Sequence, residues 1–210
     1  VATRVYIVRH GETDANNSRI IQGHLDTPLN GEGIEQSKRV AEALRAVPFH
    51  AAFSSDLSRA SQTAEIIVAV HPGLVLRKQV DIRERNMGML QGKGYGTRLP
   101  ADQVASMEKE DAMARRAAKW WAETMRAVSA GDTAQTRNVL VVSHGGFIGV
   151  LVRGLLRGGV SKADGVRVGQ CLNTAVAVVE VDGGGAGALV RYGDVSHLAG
   201  GQMAVEGNAD

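Results

Sequence analysis

A run of four apolar residues at positions 139–142 constrains the fold of this chain more than any other stretch. It reads Val-Leu-Val-Val and is followed by Ser143, His144 and two glycines. A short, wholly apolar run rich in β-branched residues is typical of a strand buried on both faces of a parallel sheet. Apolar residues then recur at helical spacing, at Phe147, Val150, Leu151 and Leu155. A buried strand followed by such a helix predicts an α/β fold.

A second strand of the same kind opens the chain. Residues 6–8 (Tyr-Ile-Val) are apolar and run directly into Arg9, His10 and Gly11. The carboxyl ends of parallel strands meet at one edge of a sheet, and ligands collect at that edge in open α/β folds. A single histidine at a strand end is more often structural, but two at one edge indicate a functional site. We therefore expect His10 and His144 to lie close together.

The remaining pattern predicts one α/β domain that spans residues 1–210. Helices are expected from the turn at Asn30-Gly31 to Val47, over residues 57–68, and across residues 100–129. Further strands are expected at residues 50–54 and 74–76, and a hairpin at 173–181 and 188–192 with its turn at 183–187. Residues 14–29 and 83–97 are predicted loops, the first with room for a short helix.

The helical stretch 100–129 lacks a clean apolar stripe in the sequence. We therefore expect it to be partly exposed, as a helical cap inserted at about residues 86–130. The last residues, from Gly200, are expected to fray.

Composition limits the classes of function. The chain has 210 residues, of which 44% are hydrophobic and 22% charged, with a formal net charge of +2. A charge this small, without a basic cluster or an aromatic platform, argues against nucleic-acid binding. The single cysteine, Cys171, excludes an internal disulfide and a multi-cysteine metal site. Because no signal-like or membrane-spanning apolar run is present, we expect a cytoplasmic protein without a membrane partner. The sequence leaves the oligomeric state open.

An arginine at the start of a predicted helix is a further candidate for the functional site. Arg59 lies in the first turn of the helix predicted after the strand at residues 50–54. A cation at a helix N-terminus opposes the helix dipole, so a compensating anion is a reasonable inference. The alternative is that Arg59 forms an ion pair with Asp56.

Four motifs follow one another in a characteristic order. They are Arg9-His10-Gly11-Glu12-Thr13, residues 54–60 (Ser-Ser-Asp-Leu-Ser-Arg-Ala), Arg83-Glu84 before Gly88 and Gly92, and residues 143–146 (Ser-His-Gly-Gly). Together they resemble the histidine phosphatase superfamily, which includes phosphoglycerate mutases, fructose-2,6-bisphosphatases and broad-specificity phosphatases. The resemblance extends from Val5 to about Leu198. It implies a phosphoglycerate mutase-like fold, a three-layer α/β/α sandwich with a mostly parallel central sheet.

The resemblance also implies a covalent mechanism centred on His10. His10 would attack phosphorus and become a phosphohistidine, while Arg9, Arg59 and His144 surround the phosphoryl oxygens and stabilise their charge. Because the guanidinium groups supply the positive charge, the implied site needs no metal and no cofactor. Glu84 corresponds to the family's proton donor to the leaving oxygen, which later deprotonates the attacking water. Without the resemblance, a solvated charge would be the favoured interpretation of Glu84.

Four further residues are implied as substrate or phosphate contacts. Asn16 would add a neutral donor, and the backbone N–H of Gly145 would act at a helix N-terminus. Gln22-Gly23 resembles the family's substrate-loop signature.

Two arginines beside Glu84 are weaker candidates. Arg83 and Arg85 could hold a second phosphate or carboxylate of the substrate, and a solvated surface position is an equally good interpretation.

The resemblance favours a phosphatase over a mutase. The segment between Glu84 and His144 is shorter than expected for the lid with which a mutase shields its phosphohistidine. The sequences of residues 20–23 and 83–88 most resemble those of the short phosphatases, including the fructose-2,6-bisphosphatase-type members. We therefore predict a metal-independent phosphomonoesterase whose partner is a small phosphorylated metabolite. The alternatives are phosphoglycerate mutase-type phosphoryl transfer, a non-catalytic binder of phosphorylated ligands, and a metal hydrolase with His10, His144 and Glu84 as ligands.

Overall fold

The computed structural model of the chain describes residues 2–129, 136–182 and 186–199. Its strands are β1 (Thr3–Arg9), β2 (Phe49–Ser55), β3 (Leu76–Gln79), β4 (Arg137–Ser143), β5 (Ser161–Lys162), β6 (Val176–Val181) and β7 (Gly187–Asp194). Its helices are α1 (Asp14–Asn17), α2 (Gly31–Leu44), α3 (Ser58–Val68), α4 (Ala101–Val104), α5 (Glu110–Ser129) and α6 (Gly145–Arg157). Short 3₁₀ turns lie at Val80–Ile82, Gly88–Leu90 and Ser196–Ala199.

The strands form a seven-stranded sheet in the order β3-β2-β4-β1-β6-β7-β5. β4 lies between β1 and β2 and is parallel to both, and β2 is also parallel to β3. β6 is antiparallel to β1 and to β7, which confirms the predicted hairpin. In the register between β1 and β4, Arg9 stands opposite Ser143. The next residues are His10 and His144, so both histidines leave the sheet at the same edge.

Helices cover both faces of this sheet because successive strand residues point to opposite sides. One core contains Val5, Ile7, Val139 and Val141 with Met113 and Trp120 of α5 and Phe147 and Ile148 of α6. The other contains Tyr6, Val8, Leu140 and Val142 with Val40 and Leu44 of α2 and Ala60 and Ala64 of α3. The molecule is therefore a three-layer α/β/α sandwich with a mostly parallel sheet, as predicted.

Some element boundaries differ from the predictions. α2 ends at Leu44 rather than at Val47, and β3 begins at Leu76 instead of covering residues 74–76. Val75, whose apolar side chain favoured the earlier start, is 71% exposed. β5 has no predicted counterpart because two exposed residues give no hydrophobic pattern. α1 is the short helix for which the loop at residues 14–29 had room.

The stretch 100–129 is divided into the short helix α4 and the 20-residue helix α5. The expectation that it lacks an apolar stripe is wrong. α5 buries Met113, Ala117, Trp120, Thr124 and Val128, which follow one another at intervals of three or four residues. An alanine and a threonine belong to this stripe, and their weak hydrophobic signal conceals it in the sequence.

Three sequence-based expectations have a more limited outcome. No helix among the described residues is long and apolar enough to cross a membrane. The central glycines of the predicted hairpin turn (183–185) and the chain end from Gly200 lie outside the described residues. The organisation as one domain with a helical cap at about residues 86–130 stays a prediction.

Candidate active site

The two strand-end histidines lie side by side at the carboxyl edge of β1 and β4, as the sequence predicts. Their ring centroids are 5.1 Å apart and their planes are inclined by 59°. His10 is 3% exposed and His144 is fully buried. Nδ1 of His10 lies 2.7 Å from the carbonyl oxygen of Gly11. Because a carbonyl oxygen only accepts, Nδ1 carries the proton, and Nε2 keeps the lone pair that a nucleophile needs.

Burial and nearby positive charge keep both histidines neutral. Burial lowers the pKa of His10 well below its ordinary value, and the charges of Arg9 and Arg59 lower it further. The pKa of His144 is lowered well below its ordinary value by burial and then by the charge of Arg59. Both imidazoles are therefore in their neutral form, with one N–H each, at neutral pH, and in this form His10 can attack an electrophile.

Two arginines lie close enough to His10 for their charges to lower its pKa. Nη1 of Arg9 donates to the carbonyl oxygen of Cys171 over 2.7 Å. Arg59 is 1% exposed and donates to the carbonyl oxygens of Leu25 and Gly23, over 2.8 Å in each case. The Nε atom of each arginine is buried and has no hydrogen-bond partner among the described residues. Buried donors without a partner are uncommon, and two of them beside a neutral histidine indicate an anion-binding site.

The alternative ion pair between Arg59 and Asp56 is not formed. Asp56 pairs with Arg83 instead, with 2.5 Å between Nη2 and Oδ2. Burial lowers the pKa of Arg59 to about 10, although the charges of Glu84 and Asp26 act in the opposite direction. The Arg59 guanidinium therefore stays protonated at neutral pH and is available to an anion at the start of α3.

Glu84 follows the 3₁₀ turn Val80–Ile82 and reaches the N-terminus of α6. Its Oε2 accepts a hydrogen bond from the backbone N–H of Gly146 over 2.9 Å, and its Oε1 accepts one from the N–H of Arg85 over 2.8 Å. Glu84 is thus held by two backbone N–H groups, one of them on α6, rather than standing free between Arg83 and Arg85. A Cβ atom at Gly146 would lie 2.3 Å from Oε1. The second glycine of the Ser-His-Gly-Gly motif thus makes room for the carboxyl group.

Three of the four predicted substrate or phosphate contacts, Asn16, Gln22 and Gly23, come from α1 and the loop that follows it. Oδ1 of Asn16 accepts from the N–H of Thr13 over 3.2 Å and from Nδ2 of Asn173 over 3.3 Å, which leaves its own Nδ2 as a donor. Gln22 is 8% exposed and accepts from the Thr13 hydroxyl over 3.1 Å. Gly23 turns the loop with a positive φ of 52°, which glycine adopts without a steric penalty.

A cavity of about 410 Å³ joins most of the predicted residues. Its wall includes Arg9, His10, Asn16, Gln22, Gly23, Arg59 and Glu84. His144 and Gly145 are not on this wall, and Gly146 lines it at the start of α6. A phosphate contact for the N–H of Gly145 therefore stays a prediction. A larger cavity of about 980 Å³ between α5 and α6 is lined by none of the predicted residues.

Sequence reasoning missed most of the remaining residues that line the smaller cavity, which together are called its outer wall below. That wall is lined by Ile21, Arg85, Met87, Tyr95, Glu110, Met113, Val150 and Arg153. Of these, only Arg85 was a candidate from the sequence. Four belong to α5 and α6, and they reach the cavity only because both helices pack on one face of the sheet. No local pattern in the sequence marks such residues.

A loop before β6 holds the end of β1 in place. The N–H of Thr174 donates to the carbonyl oxygens of Arg9 and His10 over 3.1 and 3.3 Å, and Nδ2 of Asn173 donates to that of His10 over 3.0 Å. Thr174 has a φ of 55°, which is rare for a β-branched residue, and its hydroxyl lies 3.0 Å from Nε2 of buried His197. Such strain persists only where the surrounding structure enforces it. The loop thus supports the backbone at His10.

The described residues contain no group of three or more His, Cys, Asp or Glu side chains that could hold a metal ion. His10, His144 and Glu84 therefore do not form the ligand set of the metal-hydrolase alternative.

Comparison with known proteins agrees with this geometry. The chain matches the model of the histidine phosphatase superfamily (branch 1) over residues 5–195. It is 34% identical to phosphoglycerate mutase-like protein 4 of Arabidopsis thaliana, over 92% of this chain and 86% of that protein. It is 28% identical to a probable phosphatase of Schizosaccharomyces pombe, over 93% of this chain and 95% of that protein.

A solved structure is similar in both fold and sequence. The mycobacterial glucosyl-3-phosphoglycerate phosphatase, in its complex with VO3, superposes with a TM-score of 0.71 and is 28% identical. The match covers 84% of this chain and 90% of that one. Relatives named as phosphatases and as mutase-like proteins thus share this architecture. The family model covers nearly all of the chain, which therefore belongs to branch 1 of the histidine phosphatase superfamily.

Proposed function

We propose that this protein is a metal-independent phosphomonoesterase that hydrolyses a small phosphorylated metabolite through a phosphohistidine on His10. One observation carries the proposal. Neutral His10 shares its site with buried groups that have no hydrogen-bond partner in the described part of the chain, the Nε–H donors of Arg9 and Arg59 and the adjacent ring of His144, which in its neutral form offers one N–H donor. A phosphoryl group is the anion whose three oxygens would satisfy such a cluster.

The first half of the reaction transfers the phosphoryl group to the enzyme. The lone pair on Nε2 of His10 attacks phosphorus, and the bond between phosphorus and the ester oxygen breaks. Glu84 gives a proton to the departing oxygen, so the leaving group departs as an alcohol. Arg9 and Arg59 stabilise the charge on the equatorial oxygens in the transition state.

The second half releases phosphate and restores the enzyme. The Glu84 carboxylate takes a proton from a water molecule, whose oxygen attacks phosphorus as the bond to Nε2 breaks. Inorganic phosphate leaves, His10 returns to its neutral form, and Glu84 again holds the proton for the next cycle. One carboxyl group thus acts as acid and then as base.

The outer wall of the cavity supports a substrate with a second anionic group. Nη1 and Nη2 of Arg85 make no hydrogen bond among the described residues, since only its Nε is engaged, with the carbonyl oxygen of Glu108. Arg153, on α6, has no acidic partner there either. Arg83, the other candidate, is engaged by Asp56. A phosphorylated carboxylic acid or a bisphosphate would place its second anion near these guanidinium groups.

Exposure of the outer wall favours hydrolysis over mutase-type transfer. Tyr95 is 57% exposed and Arg153 is also exposed. A phosphohistidine on His10 would therefore meet water before a product could turn round in the site and take the phosphoryl group back.

A quenched-flow experiment tests the proposal. Labelled 2,3-bisphosphoglycerate, fructose-2,6-bisphosphate and an aryl phosphate are mixed with the protein in the presence of a chelator, and free phosphate and protein-bound label are followed. We expect free phosphate from at least one ester, together with transient label that is acid-labile and base-stable. Orthovanadate should inhibit this turnover.

Two other results would contradict the proposal. Long-lived label that passes to 3-phosphoglycerate, with little free phosphate, would make the protein a mutase. Tight binding of these ligands without any turnover would make it a phospho-ligand receptor.

A further inference from the structure

A single arginine of α5 holds the backbone on which Glu84 is carried. Nη1 of Arg116 donates to the carbonyl oxygens of Asp81 and Arg83, over 2.7 and 3.0 Å. Its Nη2 donates to the carbonyl oxygen of Glu84 over 3.3 Å and to Oε2 of Glu108 over 2.8 Å. Its Nε donates to Oε1 of Glu108 over 3.0 Å. Every nitrogen of the guanidinium group thus donates a hydrogen bond. Three of these bonds go to backbone carbonyl oxygens of residues 81–84.

Glu108 holds the other side of the same loop. Its Oε2 accepts from the N–H of Asn86 over 3.1 Å, and its own N–H donates to the carbonyl oxygen of Asn86 over 2.8 Å. Its carbonyl oxygen accepts from Nε of Arg85 over 2.7 Å. Arg116 and Glu108 therefore fix the backbone before and after Glu84. Nε2 of His24 also lies 2.8 Å from the backbone carbonyl oxygen of Glu84.

The ion pair between Arg116 and Glu108 is well shielded from water, since the two side chains are only 19% and 16% exposed. Burial alone would raise the pKa of Glu108, but the hydrogen bonds from Arg116 and from the N–H of Asn86 outweigh it and hold that pKa below its ordinary value. The pair is therefore charged at neutral pH. A planar fork with five donors suits this arrangement, which an ammonium group could not reproduce.

The carboxyl group of Glu84 has no such support of its own. Among the described residues it accepts hydrogen bonds only from the N–H groups of Arg85 and Gly146, and no side chain donates to it. The direction in which it points is therefore set by the course of its own backbone together with the first turn of α6, and no described side chain holds it. We propose that Arg116, held by Glu108, is the positioning residue that aims Glu84 at the leaving-group oxygen.

This inference rests on the proposed role of Glu84 as general acid, and that role provides its test. Protonation matters most when the leaving group is a strong base. An alkoxide needs the proton, whereas a nitrophenolate departs readily without it. A defect in positioning Glu84 should therefore slow an alkyl phosphate more than p-nitrophenyl phosphate, whereas a general loosening of the site would slow both equally.

The experiment measures the first chemical step, because the second step is common to all substrates. The rate of phosphohistidine formation is followed with p-nitrophenyl phosphate and with one alkyl ester. That ester is whichever of glycerol 2-phosphate, 3-phosphoglycerate and fructose-2,6-bisphosphate the wild-type protein turns over fastest. For Arg116→Met we expect a loss of about 10- to 100-fold with the alkyl ester, which is less than the roughly 10²- to 10⁴-fold that general acid catalysis supplies because Glu84 itself is retained, and less than about threefold with the aryl ester.

Two further variants are compared with Arg116→Met, one as a control for the loss of a positive charge and one that weakens the partner of Arg116. Arg115→Met removes a neighbouring arginine whose partner, Asp111, is an exposed residue on the same helix, and it should leave both rates unchanged. Glu108→Gln keeps the shape of the partner side chain and should reproduce the selective loss in a milder form. Thermal unfolding of each variant shows whether the fold is retained. If Arg116→Met unfolds, Arg116→Lys and Glu108→Gln carry the same comparison.

A double substitution separates this inference from the proposed function. Glu84→Gln alone should give the largest selective loss with the alkyl ester. Adding Arg116→Met to Glu84→Gln should then cause no further selective loss, because both changes remove the same proton transfer. Equal slowing of both esters in Arg116→Met, with Glu84→Gln still selective, would overturn the inference alone. A Glu84→Gln variant without selectivity would overturn the acid role of Glu84 itself.

Discussion

The ring centroids of His10 and His144 lie 5.1 Å apart, although the two residues are separated by 134 positions in the sequence (144 minus 10). Their proximity follows from the register between β1 and β4, in which Arg9 faces Ser143. The residue directly after each of these strands is a histidine, so both histidines lie at the same point of the sheet edge. The proposed nucleophile and its neutral neighbour are thus positioned by strand pairing rather than by flexible loops.

Substitution of His10 by alanine should abolish turnover while the fold is retained. The side chain supplies the nucleophile, so we expect kcat to fall by at least about 10³-fold and protein-bound label to disappear. The residue lies past the end of β1, and no strand hydrogen bond depends on its side chain. Quenched-flow labelling and thermal unfolding measure the two effects. A variant that kept most of its activity would exclude the covalent mechanism.

Substitution of Arg59 by lysine should impair both phosphate binding and the loop that closes the cavity. The guanidinium group holds the carbonyl oxygens of Gly23 and Leu25 and presents its Nε to the site, and an ammonium group cannot do both. We expect kcat/KM to fall by about 10²-fold or more. Arg77→Lys is the matched control, since Arg77 stacks on Phe53 and does not line the cavity. Equal activity of the two variants would contradict a direct role for Arg59.

Substitution of Gly146 by alanine should displace Glu84, because the new Cβ atom would lie 2.3 Å from Oε1 and 3.0 Å from Oε2. We expect a loss of activity that is larger with alkyl than with aryl phosphates. Gly154→Ala lies on the same helix, where a Cβ atom would meet nothing within 4 Å. Gly154→Ala should keep the wild-type activity. Its free energy of unfolding should exceed that of the wild type by about 1 kcal/mol, since glycine is a poorer helix former than alanine. Steady-state kinetics and denaturant unfolding distinguish the two.

The stability of the protein should fall as the pH drops below about 6.5, the ordinary pKa of histidine in an unfolded chain. The pKa values of His10 and His144 are lowered by folding, chiefly through burial. Below that pH the unfolded chain therefore binds more protons than the folded one, and the free energy of unfolding decreases. Each such histidine contributes a slope of up to about 1.4 kcal/mol per pH unit.

Urea unfolding between pH 8 and pH 5 measures this dependence. Stability should be constant above about pH 7, where these histidines are neutral in both the folded and the unfolded chain. His144→Gln should make the decrease in stability at lower pH shallower. A variant whose stability decreases as steeply as that of the wild type would show that His144 is not held neutral by burial.

Local patterns in the sequence were sufficient for the two central strands and for the residues at their ends. The runs at 6–8 and 139–142 are apolar because both faces of β1 and β4 are buried, and the chemistry follows them directly. β3 was misplaced because the apolar Val75 lies just outside the strand, at the edge of the sheet, where exposure makes hydrophobicity uninformative.

The supports of the site could not be predicted in the same way. Arg116 acts on carbonyl oxygens about thirty positions earlier in the chain, and Asn173 donates to the backbone of His10 from a loop before β6. A backbone carbonyl is present at every residue, so the sequence contains no sign of which one an arginine or an asparagine will contact. Such contacts depend on how the helices and loops pack, which is known only once the fold is formed.

The order β2-β4-β1 has a consequence for biosynthesis. β1 and β2 leave the ribosome before β4 but are not neighbours in the sheet, and β4, the strand that joins them, begins only at Arg137. Until β4 emerges, the N–H and C=O groups along the edges of β1 and β2 that it joins have no partner, and a nascent chain with such edges is prone to pair wrongly. Synthesis that stops before β4 would therefore yield a fragment without a site and dependent on chaperones, however many of the catalytic side chains it already contained.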